Sequence, residues 1–260
     1  MTRRWKAALV DVIADLVAEH QHLEAILAGL DAAQWAALSA AIGWSIADVV
    51  LHLAQTDEAV VQSCRTARDE PGAVDMWTGL ASGPDDTVDK AVDRWVTAER
   101  ADGPTVFARF RQAWRESIDA LRATDPRARV PWAAVPLRPQ VLATTRIAEH
   151  WAHGLDITEP LGIPFPDTTR LRHVAWLGHR TLPYALSLVG EPSAQVRAEL
   201  TGPGGELWTY GPDDAPSSIS GPVGAFCRVG AQRLTPEQSG LVTTGPMGAL
   251  ALKVLRNYAA

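Results

Sequence analysis

Cysteine is nearly absent from this chain. Cys64 and Cys227 are the only two in 260 residues, isolated from each other, so neither a disulfide framework nor a cysteine metal knuckle can be built. A reducing compartment fits that scarcity. No apolar run approaches the roughly 18 residues that a membrane span requires. Positive charge is not in excess: 24 Lys and Arg stand against 30 Asp and Glu, a net charge of -6, which leaves no electrostatic footprint for nucleic acid or an anionic membrane. Also missing are G-x-S-x-G, a histidine near either cysteine, and the Walker and dinucleotide glycine signatures. Serine or cysteine triads and nucleotide chemistry of those types are therefore not supported. The opening MTRRWKAALVDVIADL carries two arginines before an apolar run, but Asp11 and Asp15 interrupt it and no small-residue cleavage pattern follows. A cytoplasmic protein is expected.

What is present is a chain long enough for a sizeable core, with 47% hydrophobic residues. Leu9, Ile13, Leu16, His20, Leu23, Leu27 and Leu30 recur in steps of three and four and predict a helix over residues 5–29. Ser45 followed by Asp48 forms a capping box, with Trp44 and Val49 placed as a staple, and predicts a helix over 45–68. Its inward face carries Val49, His52 or Leu53, Thr56 and Val60. Residues 70–86 read as a loop with Trp77 as anchor or lid. A further helix is expected from about 87 to 102. Pro104 then opens another, marked by Val106, Phe110, Ala113, Ser117 and Leu121. A proline-punctuated crossing, 126–139, leads to a helix ending near 158, because Pro160 cannot continue it.

Four long helices make a four-helix bundle the expected N-terminal architecture. The second half differs. Asp167 is expected to cap a helix over 168–186 that Pro183 bends or ends. Alternating Val196, Ala198 and Leu200, a Gly202-Pro203-Gly204-Gly205 turn and Leu207-Trp208-Thr209-Tyr210 predict a hairpin. Strands at 218–220 and 242–244 and helices at 223–232 and 247–258 complete a small α+β domain. The division expected is 1–164 and 165–260.

Glu149, His153 and Asp156 stand at i, i+4 and i+7 and share one helical face. Across a bundle core His52 is placed to meet Glu149 and His153. Two imidazoles and a carboxylate leave open positions on a divalent ion, with zinc the first expectation and nickel, cobalt, manganese or iron able to use the same groups. Asp156 would then fix a ligand histidine by hydrogen bond. His150, about 100° round the helix from Glu149, is the rival ligand, and His20 lies on an apolar stripe where a core role is the ordinary one.

Glu19 to Leu23, Gly43-Trp44-Ser45, Asp48-Val49-Val50-Leu51-His52-Leu53 and Arg146-x-x-Glu149-x-x-x-His153-x-x-Asp156 together resemble the DinB-like superfamily. The branch they are most similar to is the mycothiol-dependent maleylpyruvate isomerases of actinobacteria. Leu207-Trp208 and the segment from Gly221-Pro222 to Arg233 resemble that branch's second domain. The resemblance implies a metal held by His52, Glu149 and His153, an α+β domain that helps enclose the site, and Arg233 as its polar contributor.

An open ion lowers the pKa of a bound thiol. Thiolate addition to an activated alkene, rotation and elimination isomerise a cis-enoyl acid; addition alone is S-transfer. The expected function is thus a metal-dependent, mycothiol-using isomerase or S-transferase acting on a small organic acid, as a monomer or homodimer. The alternatives are a thiol-independent metalloenzyme, Lewis-acid or hydrolytic, with Trp44, Trp77, Trp132 and Trp151 lining an apolar cleft, and a non-catalytic metal-binding protein whose site His20 or His150 closes.

Overall fold

The computed structural model describes residues 11–73, 87–133 and 135–257. The chain packs as two compact units: one runs up to Ala36 and continues with Val50–Arg146, and the other comprises Ala37–Val49 and everything from Ile147 onward. The secondary structure is a helical N-terminal part of the four-helix-bundle class followed by a small α+β part, as the periodicities predict.

In the first unit, Asp11 accepts from the N–H groups of Ile13 and Ala14 and starts α1 (Val12–Leu27), which buries Leu16, His20, Leu23 and Leu27. The expected start at residue 5 lies outside the described residues. A short α2 (Ala32–Ala36) follows, opened by reciprocal bonds between Asp31 and Gln34 at 2.9 and 2.8 Å. Its Trp35 ring packs so tightly on Gly103 that a Cβ there would lie 2.2 Å from the indole Cγ. Helix α3 (Ile46–Ala67) begins at the expected capping box, with Ser45 N–H donating to Asp48 at 2.9 Å and Asp48 N–H to the Ser45 hydroxyl at 3.1 Å.

Thr87 caps α4 (Val88–Ala98), and Asp102 caps α5 (Gly103–Ala123), whose Val106, Phe110, Ala113, Ser117 and Leu121 are all buried. The proline-rich crossing is pinned by paired backbone bonds between Val130 and Leu137, and α6 (Pro139–Thr158) opens on Pro139, where a missing N–H costs nothing. The expected Trp77 anchor lies outside the described residues. No helix among the described residues is long and apolar enough to cross a membrane.

In the second unit, α7 (Leu171–Ser187) corrects one expectation and narrows another. Asp167 does not cap it: the flanking residue is Arg170, which makes no side-chain cap. Asp167 instead pairs with Arg228 at 2.9 and 3.1 Å, beside Gly224, where a Cβ would fall 1.7 Å from the carboxylate. Pro183 does not end the helix, because buried Leu182, Ala185 and Leu186 hold its last turns in place despite one missing ladder bond.

The sheet has the order β2-β1-β3-β4. Strand β1 (Val196–Thr201) buries Val196, Ala198 and Leu200 and pairs antiparallel with β2 (Leu207–Tyr210), the hairpin expected. Strand β3 (Ser217–Pro222) pairs with β1 in parallel, and β4 (Val242–Thr244) adds antiparallel to β3. The chain steps from β2 to β3 directly over the start of β1. Gly211 makes this possible: its φ is 88°, and a Cβ would lie 2.5 Å from the Val196 carbonyl oxygen. Helices α8 (Val223–Gly230) and α9 (Gly245–Val254) complete the unit, α9 ending before the expected 258, which lies outside the described residues.

Candidate metal centre

The C-terminal half of α6 places Glu149, His153 and Asp156 along one face. The His153 ring donates from Nδ1 to the Asp156 carboxylate at 2.9 Å, so Nε2 is the ring atom turned toward Glu149. That Nε2 lies 3.6 Å from Glu149 Oε2. Two ligand atoms each about 2.0–2.1 Å from a tetrahedral zinc ion would be about 3.3 Å apart. The pair is therefore spaced for a shared cation, and is longer than a good N–H···O bond.

Asp156 is the hub of this cluster. Only 2% of its side chain is exposed, and it also accepts from Nε of Arg233 at 3.0 Å and from the same guanidinium's NH2. Burial works against its charge, but the bonds from His153 and Arg233 outweigh it and hold the carboxyl below its ordinary pKa. Its backbone carbonyl accepts from Ala40 N–H at 2.9 Å.

Two local devices build this arrangement. On α6, Gly154 lets the Phe165 ring come within 2.5 Å of where a Cβ would be, so the helix end is clamped beside Asp156. On α8, the chain closes with Gln232 N–H bonded to the Val229 carbonyl at 3.0 Å and Arg233 N–H to the Arg228 carbonyl at 2.8 Å, a Schellman ending that turns Arg233 toward Asp156. Arg233 NH1 further bonds the Ala231 carbonyl at 2.6 Å.

His52 belongs to the other unit, on the inward face of α3, where 7% of it is exposed. Thr56, one turn on, donates to the His52 carbonyl at 2.9 Å and accepts from Arg146 at 2.8 Å. Arg146 in turn bonds Asp57 at 3.0 Å, and the second oxygen of Asp57 lies 3.2 Å from His20 Nε2. The His20 ring stacks on Trp114, with centroids 5.1 Å apart and planes at 13°. His20, Asp57 and Arg146 are all essentially inaccessible, so His20 is a core histidine with a carboxylate partner. Sequence reasoning missed Asp57; the available signal was Arg146, a cation among the buried residues of α6 that needed an anion. His150 is wholly buried, whereas Glu149 and His153 keep partial exposure. Of the tryptophans considered for a cleft, Trp151 is buried under Arg228, 5.7 Å from its ring, and Trp44 and Trp132 are half-buried.

Comparison with known proteins gives the following. The sequence model for the mycothiol maleylpyruvate isomerase N-terminal domain matches residues 16–158. Uncharacterized proteins from two strains of Mycobacterium tuberculosis are 35% identical over 223 residues, 85% of this chain and 84% of theirs. A crystal structure of mycothiol-dependent maleylpyruvate isomerase superposes with a TM-score of 0.61 at 14% identity, covering 90% of this chain and 91% of that one. A histidine-to-alanine mutant of that enzyme gives 0.58 at 13%, with the same coverage.

Proposed function

Because the chain belongs to the family defined by the mycothiol maleylpyruvate isomerase N-terminal domain, we propose that it is a divalent-metal-dependent enzyme that uses a low-molecular-weight thiol, mycothiol, to isomerise a small activated organic acid. In this reading residues 1–164 form the domain that carries the metal, residues 165–260 form the second domain, and the protein works in the cytoplasm. The ion is held by His52, Glu149 and His153, with zinc preferred because imidazole suits it, and nickel as the next choice. The observation that carries the proposal is the His153 ring, bonded through Nδ1 to Asp156 with Nε2 facing Glu149 at 3.6 Å.

When bound, the ion supplies the positive charge that keeps a thiol ionised at neutral pH. The chain's own residues do the rest. Asp156 retains the Nδ1 proton of His153 and so keeps Nε2 available as a ligand atom. Arg233 balances the Asp156 charge, which lets that carboxylate stay ionised while 2% exposed. The thiolate adds to the alkene carbon of the substrate, the new single bond rotates, and loss of the same thiolate restores the double bond in the other geometry, so the thiol is regenerated. Stopping after addition and protonation gives S-transfer instead.

The test is metal analysis of the purified protein beside His153→Ala, followed by titration with mycothiol. About one ion per chain in the wild type, loss of it in the variant with helicity retained, and a change in the ion's coordination on adding thiol are expected. An ion that ignores the thiol removes the thiol from the mechanism; wild type and variant with equal metal content remove the site.

A further inference from the structure

Helix α8 is eight residues long, and its C-terminal end carries Arg233 to Asp156. A helix this short does not hold its own end in place. The Schellman ending that closes it puts Gln232 at a φ of 60°, the left-handed conformation that glycine normally supplies there, because a Cβ crowds the following carbonyl. The end is instead held from outside, by the segment that follows α9. Asn257, 5% exposed, donates from Nδ2 to the Cys227 carbonyl at 3.0 Å and from its backbone N–H to the Gly230 carbonyl at 2.8 Å. Both acceptors belong to the last turn of α8, where the helix itself runs out of donors. One residue earlier, the Arg256 carbonyl accepts from the Thr181 hydroxyl of α7. Arg233 hangs from the same turn, through its N–H on the Arg228 carbonyl and its NH1 on the Ala231 carbonyl.

The way Asn257 is seated favours placement over stability. Its Oδ1 is buried with no hydrogen-bond partner among the described residues, which costs free energy. Two glycines make room for it: a Cβ on Gly178 of α7 would lie 2.6 Å from Oδ1, and one on Gly230 of α8 would lie 2.2 Å from it. An apolar residue at 257 facing alanines would bury more surface and leave no oxygen unpaired. It could not donate to the Cys227 carbonyl. We propose that Asn257 is a positioning residue: by holding the end of α8 it fixes Arg233 on Asp156, and through Asp156 it sets how His153 presents Nε2. The hold on Arg233 stands on these bonds alone; its consequence for an ion rests on the metal reading above.

The test is solution NMR of the purified full-length protein, following the Arg233 Nε–H, whose bond to Asp156 gives a dispersed, slowly exchanging signal identified by its loss in Arg233→Lys. Asn257→Leu keeps the volume and removes the unpaired oxygen, so Tm changes little, yet exchange of the Arg233 proton quickens about 10-fold. Asn257→Ala does the same with a larger fall in Tm. Leu200→Ala opens a cavity in the buried core of the sheet, lowers Tm and leaves the signal in place, which separates positioning from general loss of stability. An Arg233 signal unmoved in either Asn257 variant, or one that already exchanges in the wild type as fast as that of free arginine, overturns the proposal. In chelator competition Asn257→Leu weakens metal binding about 3- to 10-fold, less than the 10- to 100-fold expected for a direct partner of a ligand. Unchanged affinity beside a displaced Arg233 signal overturns the link to the ion. If wild type and His153→Ala hold equal metal, the metal reading fails at its own test, and the Arg233 signal still decides whether Asn257 holds the end of α8.

Discussion

The molecule contains the same three-residue chemistry twice. In the first unit the Asp57 carboxylate lies 3.2 Å from the His20 imidazole on one oxygen and accepts from the Arg146 guanidinium on the other; in the second, Asp156 joins His153 and Arg233. The difference is access. The side chains of His20, Asp57 and Arg146 are 0, 0 and 2% exposed, whereas those of His153, Asp156 and Arg233 are 14, 2 and 26% exposed. A closed cluster holds helices in register, because charges removed from water must be compensated within the core. An open one, with the second nitrogen of His153 turned toward Glu149, can present an atom to something that arrives. Ligand chemistry thus follows from which ring nitrogen is left over and where it points, more than from which residues are present.

The contrast is broken most severely at the closed cluster. Asp57→Ala removes a buried carboxylate that bonds the Arg146 guanidinium, and a loss of about 3–5 kcal/mol in chemical denaturation is expected; a loss below about 1 kcal/mol would mean that the pair contributes no more than a surface one. At the open cluster the balance shifts from stability to affinity. Asp156→Asn lets Arg233 turn to solvent, so the stability loss is smaller, while metal affinity falls roughly 10- to 100-fold through loosening of His153. Competition with a chelator reads this, and a fall as complete as that of His153→Ala would make Asp156 itself a ligand.

The smallest effect belongs to the rim of the first unit. There Glu24 accepts from Trp114 at 2.8 Å and Arg111 at 2.9 Å and also pairs with Arg115. Partial burial opposes its charge, but the bonds to Arg115 and Trp114 prevail and keep its pKa below the ordinary value. With the folded pKa depressed, its contribution is complete above the unfolded pKa of about 4.3 and is lost as pH falls through the folded one. Denaturation midpoints of wild type and Glu24→Gln therefore differ at pH 7 and converge in acid; parallel curves throughout would assign the drop to other carboxylates.

Features carried by neighbouring residues were legible in the sequence. Ser45 with Asp48, Pro104 in the first turn of α5, and alternating Val196, Ala198 and Leu200 each state a local geometry that the structure adopts. The family resemblance, read from short motifs in fixed order, agrees with the match over residues 16–158. What escaped depends on distant partners. Helix α2 is too short for periodicity to show. Asp167 offers the same oxygen to a helix cap or to Arg228, 61 residues away, and only folding selects the second. Asp57 meets Arg146 across 89 residues. The parallel pairing of β1 with β3 leaves no trace in either strand, and nothing local announces that Gln232 occupies a glycine's conformation.

The short step over β1 bears on the order of events during folding. A parallel strand pair ordinarily waits for a long crossover to close, which slows its formation. Here β1, β2 and β3 all lie within Val196–Pro222, so these three neighbouring strands meet through sequence-local encounters. The pairing of these strands therefore needs no element outside the segment, and the left-handed turn at Gly211 is the backbone feature that lets β2 lead so shortly into β3.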